Sequence, residues 1–271
     1  MSRPEYSAPP EIFYNEKEAR KYTQNSRIID IQVQMCERAI ELLLLPEDQS
    51  CLLLDIGCGS GLSGSVLEDN GHIWVGMDIS QAMLEVAVER EVEGDLIMAD
   101  MGEGVPFRAG VFDGAVSISA LQWLCNADKT SHKPVERLYR FFSTLYASLS
   151  RSARAVFQFY PDSSGQVELI TQQAMRAGFY GGVVVDYPNS TKAKKYFLVL
   201  MTGGNMPLPK ALDTESNDVH ISKRERLKNA RGKSLKNSRN WILEKKERRR
   251  RQGKDVRADS KYTGRKRSSK F

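Results

Sequence analysis

Three glycines at alternate positions, Gly57, Gly59 and Gly61, follow directly on the apolar run Leu52-Leu-Leu-Asp-Ile56, and this junction constrains the fold more than any other part of the chain. The short, continuous buried run Cys51 to Ile56, with turn residues beyond it, reads as a central strand of a parallel sheet, covered on both faces. The glycines let the backbone turn sharply and approach a ligand, because no Cβ blocks positive φ. A helix is predicted from about Leu62 to Asn70, with Gly71 at its C-terminal cap.

Two ligand classes fit a strand, a glycine loop and a helix. Gly59, Gly61 and Gly64 satisfy the dinucleotide pattern G-x-G-x-x-G, and Asp78 ends the next predicted strand at about the spacing of a ribose-binding acid. That pattern alone is weak. Asp55, two residues before the first glycine, tips the balance against it: a pyrophosphate would need that space near the helix N-terminus, whereas a carboxylate better suits a cationic ligand. S-adenosylmethionine is such a ligand, with a sulfonium, an amino group and no phosphate.

The pattern Asp55-x-Gly57-x-Gly59-x-Gly61 resembles motif I of class I S-adenosylmethionine-dependent methyltransferases. The resemblance implies that Asp55 and the Gly57 to Gly61 loop face the methionine moiety. It also implies that Asp78 accepts hydrogen bonds from the ribose hydroxyls and that Asp100 meets the adenine amino group. Asp78 and Asp100 each end an apolar run, Ile73 to Met77 and Leu96 to Ala99, as the rule for ligands beyond the carboxyl ends of parallel strands requires. With the neighbouring loop residues and the N-terminal lid, the implied cofactor set is Asp55, Gly57, Cys58, Gly59, Gly61, Asp78, Ile79, Asp100, Met101 and Tyr22.

Strands alternate with helices along the chain. Helices are predicted over Ser26 to Leu45, Ser80 to Arg90, Pro134 to Leu149 and Gln166 to Ala177. Further strands are predicted at Phe112 to Ser117, Ala153 to Phe159, Val183 to Val185 and Tyr196 to Leu200. This is the pattern of a doubly wound parallel α/β sheet. The last two strands lie too close for a crossover helix and should pair antiparallel, giving the seven-stranded class I methyltransferase sheet with a terminal hairpin. In that order the strand Leu96-Ile-Met98 is an apolar edge without a blocking Pro or Lys. Either a strand from another protein covers it, or the N-terminal segment or a loop of the chain does.

On the substrate side, Ile118-Ser-Ala-Leu-Gln-Trp-Leu124 follows the fourth strand and lacks both the Asn/Asp-Pro-Pro-aromatic motif of amine methyltransferases and a Cys beside Pro. Cys125 precedes Asn126 and reads as a small buried hydrophobe. An acceptor with a free lone pair, such as guanine N7, needs neither a base nor a covalent nucleophile. Ser119, Gln122, Trp123 and Tyr14 are the candidates for positioning it, although Trp123 also suits core packing under the loop. The resemblance to class I methyltransferases implies that the segment Phe13 to Tyr22 folds over the cofactor as a lid, with Arg20 or Arg27 as a candidate for its carboxylate or for phosphate; packing of Tyr22 on the helix that follows is the alternative.

Charge is divided unevenly. Residues 222–271 hold 21 Lys and Arg against 5 acids, a balance of +16, while the first 221 residues hold 19 against 29, a balance of −10. The expected organisation is a lid and first helix over 1–50, a cofactor-binding core over 51–204, a linker over 205–221 and a basic RNA-binding tail over 222–271, partly disordered. The run Trp241 to Arg251 reads as a short basic helix and Lys261 to Arg267 as a second cluster, either able to act as a nuclear import signal. Cys36, Cys51, Cys58 and Cys125 lack C-x-x-C spacing and three histidines are present, so no disulfide framework and no metal site is expected. No apolar run approaches the roughly 20 residues of a membrane span.

Taken together, Phe13 to Arg27, the Leu54 to Gly64 loop, Gly76 to Ser80, Leu121 to Asn126, Asp186 to Tyr196 and the tail resemble the eukaryotic 18S ribosomal RNA (guanine-N7)-methyltransferases. That resemblance implies methylation of one guanine in 18S rRNA precursor within a pre-small-subunit particle. It implies location in the nucleus, nucleoplasm and nucleolus, with the cytoplasm as a second site. It also implies a small zinc-binding activator subunit that pairs with the edge strand near Leu96 to Met98. Two other readings remain open at this point: an assembly factor whose docking matters more than methyl transfer, and an NAD(P)-binding oxidoreductase.

Overall fold

In a computed structural model, residues 3–46, 48–191, 193–204 and 207–213 are described, with the short pieces 242–243, 245–246, 249–250 and 256–260. The chain divides into two compact units, Met1–Asp213 and Thr214–Phe271. Within the second, Lys246 and Arg250 on described helical pieces both bind Asp259, at 2.9 and 2.5 Å. Trp241, Tyr262 and the Lys261 to Arg267 cluster lie outside the described residues.

The first unit is built on seven strands: β1 (Leu52–Ile56), β2 (Ile73–Asp78), β3 (Asp95–Met98), β4 (Phe112–Ile118), β5 (Leu149–Phe159), β6 (Tyr180–Asp186) and β7 (Lys195–Met201). Their order across the sheet is β3-β2-β1-β4-β5-β7-β6. β7 runs antiparallel between β5 and β6 while the other pairings are parallel, so the expected doubly wound sheet with a terminal hairpin is present. The helices are α1 (Pro10–Phe13), α2 (Glu16–Gln24), α3 (Ser26–Leu43), α4 (Leu62–Asp69), α5 (Gln81–Glu89), α6 (Pro134–Ser148) and α7 (Ser164–Arg176).

Strand alternation divides the core into two layers. Leu54, Ile56, Ala115 and Phe157 pack on one face with Phe141, Phe142, Leu145 and Ile170 of α6 and α7. Leu53, Val116, Val156 and Val199 pack on the other with Met35, Ala39 and Leu42 of α3 and Leu67 of α4. Burying large apolar side chains on both faces stabilises the sheet by about 1.5–3 kcal/mol for each. α3 stops two residues short of the predicted end because Leu44 adopts a left-handed conformation, φ 49°. β5 starts earlier than its apolar pattern suggests, since Leu149 already pairs with Phe112. At the sheet edge β3 pairs with β2, and Met98 stands 62% exposed. No described helix is long and apolar enough to cross a membrane.

One packing device ties the cofactor helix to the sheet. The indole of Trp74 on β2 is buried and donates to Glu68 Oε1 at 2.9 Å. A Cβ placed on Gly64 of α4 would lie 2.1 Å from that ring, and one on Gly94 2.2 Å. Gly64, the third glycine of the apparent dinucleotide pattern, therefore serves helix-to-sheet packing. Gly64→Ala is expected to lower stability by about 1–3 kcal/mol in urea melts through overpacking. Gly165→Ala, where the nearest atom is an ordinary 3.6 Å away in α7, should leave stability unchanged or raise it. Equal midpoints for the parent and Gly64→Ala would contradict this account.

Candidate cofactor and base site

The loop after β1 is held from inside by the end of β2. Gly57 and Cys58 N–H donate to the Met77 carbonyl at 2.7 and 3.2 Å. Gly59 N–H donates to Asp78 Oδ2 at 2.8 Å, and Ser80 N–H to Oδ1 at 2.8 Å. Gly57, Gly59 and Gly61 all take positive φ, at 71°, 53° and 75°. A Cβ on Gly57 would meet the Ala120 Cβ at 2.4 Å, so glycine there lets the loop after β4 close against the loop after β1. Burial pushes the Asp78 carboxyl up, and hydrogen bonds from the Ser80, Gly59 and Ile79 backbone oppose the shift.

These loops open onto a cavity of about 350 Å³ beyond the carboxyl ends of β1, β2 and β4. Of the predicted cofactor residues, Gly57, Cys58, Gly59, Asp78, Ile79, Asp100, Met101 and Tyr22 line it, and so do the base-side candidates Tyr14, Ser119, Gln122 and Trp123. Two predictions need correction: Asp55 and Gly61 are not among the lining residues. Asp55 is fully buried beneath the first turn of α4, where Ser63 Oγ donates to its Oδ2 at 2.5 Å and the Gly64 backbone to the same carboxylate. Gly61 abuts Val92 and Trp74. Both support the loop from behind. Nor do the candidate arginines reach the cavity: Arg20 makes a bidentate pair with Glu89 at 2.8 and 2.6 Å, and Arg27 is exposed.

Sequence reasoning missed three residues. Arg137 of α6 is buried and its Nη2 lies 2.6 Å from both oxygens of Asp100, which also accepts from Gly102 N–H at 2.8 Å. Gln158 of β5 accepts from Ser119 N–H through its backbone carbonyl at 2.9 Å and from Ser119 Oγ through Oε1 at 2.7 Å. That clasp holds Ser119 at φ 59°, and its carbonyl in turn accepts from Gln122 Nε2 at 2.8 Å. Glu5, from the N-terminal turn, also lines the cavity. A polar residue inside a core-forming strand or helix, such as Gln158 or Arg137, was the one available signal.

Aromatic side chains roof the cavity. Trp123, 6% exposed, sits 6.2 Å from Phe13 and 5.9 Å from Tyr14 between ring centroids, and Tyr14 meets Tyr22 edge-on at 5.9 Å. Ser80 Oγ, which caps α5 at Met83 N–H, donates to the Tyr14 carbonyl at 2.8 Å and pins this roof to the cofactor wall. Burial raises the Tyr14 and Tyr22 hydroxyls above their ordinary range, so both stay neutral.

The donor set fits a cation. Glu5, Glu11, Asp78, Asp100 and Asp128 line the cavity against one guanidinium, Arg137, which is already paired. A pyrophosphate would meet net repulsion there, whereas a sulfonium with an ammonium meets attraction. Burial pushes the Cys125 thiol up to about 12 and the Cys58 thiol upward too, so neither supplies a thiolate nucleophile. Among the described residues no group of three or more metal-ligating side chains occurs.

Comparison with known proteins agrees with this geometry. Residues 54–144 match the family described as Methyltransferase domain, and residues 200–269 the family described as Methyltransferase involved in Williams-Beuren syndrome. The chain is 61% identical over 275 residues to the 18S rRNA (guanine-N(7))-methyltransferase of Mus musculus, covering 99% of this chain and 98% of that protein. It is 51% identical over 280 residues to the 18S rRNA (guanine(1575)-N(7))-methyltransferase of Saccharomyces cerevisiae, covering both in full at 100%. Among solved structures, a Haemonchus contortus phosphoethanolamine N-methyltransferase 2 bound to S-adenosylhomocysteine superposes with a TM-score of 0.56 at 17% identity, covering 70% of this chain and 58% of that one, a likeness of fold.

The corrected position of Asp55 has a measurable consequence. Burial raises its carboxyl from 3.8 to about 7 in the folded protein. Between those pH values the folded state holds one more proton than the unfolded chain. The associated stability is full below the unfolded value, falls by about 1.4 kcal/mol per pH unit, and is lost as pH passes through the folded value. Asp55→Asn should flatten the pH dependence of urea stability between pH 4 and 7 in the ligand-free protein. A slope identical to the parent's would refute this placement.

Proposed function

Because this chain belongs to the 18S rRNA (guanine-N7)-methyltransferase family, we propose that one wall of its cavity holds the cofactor and the other a guanine base. The reaction is S-adenosylmethionine-dependent methylation of guanine N7 in 18S rRNA. The observation that carries the site assignment is the convergence, on one acid-lined cavity, of the Gly57 to Gly59 loop and Asp78 with Ser119, Gln122 and Trp123. In this reading Asp78 receives the ribose hydroxyls. Ile79 and Met101 flank the adenine, and Asp100, held by Arg137, presents a remaining oxygen lone pair to its amino group.

S-adenosylmethionine supplies an electrophilic methyl group on a positive sulfur. Guanine N7 already carries a lone pair, so no residue has to remove a proton before attack. The chain's work is to orient and to exclude water, and positioning of this kind is worth up to about 7–11 kcal/mol. Gln122, oriented by the Ser119 carbonyl, and Trp123 hold the base, while Tyr14 and Tyr22 close the side facing solvent. A base presented this way is unstacked from its neighbours, as enzymes acting on bases require.

The same proposal extends to partners. The apolar edge at Leu96 to Met98 takes an added strand from a small zinc-binding methyltransferase activator subunit, supported by the absence of a second described strand beside β3 and the exposure of Met98. The basic tail, +16 over 222–271, binds the rRNA phosphates of a pre-small-subunit particle in the nucleus.

Calorimetry tests the cofactor assignment. The protein should bind S-adenosylhomocysteine and not NAD. Asp78→Ala should weaken that binding by roughly 10- to 100-fold through loss of charge-assisted hydrogen bonds. Binding of NAD by the parent, or unaltered affinity in Asp78→Ala, would defeat it.

A further inference from the structure

Four buried side-chain atoms of cavity-lining residues have no hydrogen-bond partner among the described residues; Ser60 Oγ and Arg137 Nε can donate, whereas Glu5 Oε2 and Gln122 Oε1 can only accept. An acceptor removed from water without a donor is costly, and on a residue that lines a cavity a bound ligand is one source of the missing donor. The Gln122 amide is fixed, and the turn that carries Glu5 is anchored. Gln122 is 4% exposed and its Nε2 is committed to the Ser119 carbonyl at 2.8 Å. Flipping the amide would set carbonyl against carbonyl, so Oε1 is the atom left without a partner. Glu5 sits in the turn Pro4–Tyr6, which the preceding Arg3 anchors by donating to the Tyr160 and Pro161 carbonyls at 3.0 and 2.9 Å, just beyond β5.

Resting on the reading that a guanine occupies this cavity, we infer that Glu5 and Gln122 form an acceptor pair for the N1–H and N2–H donors of its Watson–Crick edge. Guanine presents two adjacent donors there. Adenine presents a lone pair at N1, which would face an acceptor and leave it unpaired, and a site built on buried hydrogen bonds rejects such an analogue strongly. Gln158, which clasps Ser119 through two hydrogen bonds, acts as the positioning residue for the Gln122 half of the pair.

The carboxylate has a second role. Transfer breaks the sulfur–carbon bond of the cofactor and forms a carbon–N7 bond, with the lone pair of N7 becoming the new bond and no proton leaving. The positive charge that begins on sulfur ends on the base. Glu5, at the edge of that base, stabilises the charge as it arrives, an interaction stronger in the transition state than in the ground state. Glu5 is thus a specificity and transition-state residue supplied by the N-terminal turn, a segment distant in sequence from the cofactor loop.

The test uses the full chain, purified with whatever subunits accompany it. It measures methyl transfer to a short RNA carrying guanine or inosine at one position, with S-adenosylhomocysteine affinity measured in parallel. Glu5→Gln, which keeps shape and removes charge, should lower kcat about tenfold or more while leaving that affinity within about twofold of the parent. Inosine, which lacks the N2 amino group, should cost the parent about tenfold in kcat/KM, and Glu5→Ala should shrink that penalty. The inference is overturned if both Glu5 variants methylate guanine as the parent does. It is equally overturned if they lose cofactor affinity in step with activity, or if the inosine penalty is absent or persists unchanged in Glu5→Ala. A parent that binds S-adenosylhomocysteine but never methylates guanine would overturn the underlying base assignment, and this inference with it.

Discussion

The carboxylate of Asp78 is the point on which the site depends. It is fixed by the pairing of β2 with β1, and it accepts the N–H of Gly59 from one loop and of Ser80 from the next. Ser80 then caps α5 and holds the Tyr14 carbonyl, so a single chain of hydrogen bonds runs from the central sheet through the cofactor loop to the aromatic roof. The bonds to Asp78 are charge-assisted, and Ser80 Oγ serves both as the cap of α5 and as the donor to the roof, so the two functions are coupled through one side chain. A rigid sheet thereby imposes its geometry on two loops and on the N-terminal segment that roofs them.

The base side follows the same logic with a different anchor. Gly57 admits Ala120, which brings the loop after β4 against the cofactor loop, and Gln158 on the neighbouring strand holds Ser119 in a strained left-handed conformation. Strain of this kind persists where surrounding contacts over-determine it, as they do at functional loops. The two walls are therefore built from adjacent strands β1, β2, β4 and β5, whose spacing the sheet sets. A methyl donor and an acceptor placed on the two walls start at a controlled separation.

Much of this was legible in the chain itself, and the reasons are local. The glycine loop, the strand-ending acids Asp78 and Asp100, the Ser80 cap and the terminal hairpin are each written in a short local stretch of sequence, and each sits where the pattern predicts. Asp55 was misread because β1 is covered on both faces, with Leu53 and Leu54 in opposite layers of the core. In such a strand alternation does not say which way a polar side chain points. Arg137, Gln158 and Glu5 join the site from distant parts of the chain, and their partners Asp100, Ser119 and the cavity are named by tertiary packing alone. Arg20 was drawn to a ligand by its position in the lid, where a surface pair with Glu89 claims it instead. Gly64 satisfied a dinucleotide pattern for a packing reason, the indole of Trp74.

The most direct measurement is a crystal structure of the full chain with S-adenosylhomocysteine. The account places the ribose hydroxyls on the Asp78 carboxylate, the adenine beside Ile79, Asp100 and Met101, and the sulfur facing Gln122 and Trp123 across the cavity. A ligand lying elsewhere, or an Asp78 side chain turned away from it, would contradict the account at its root.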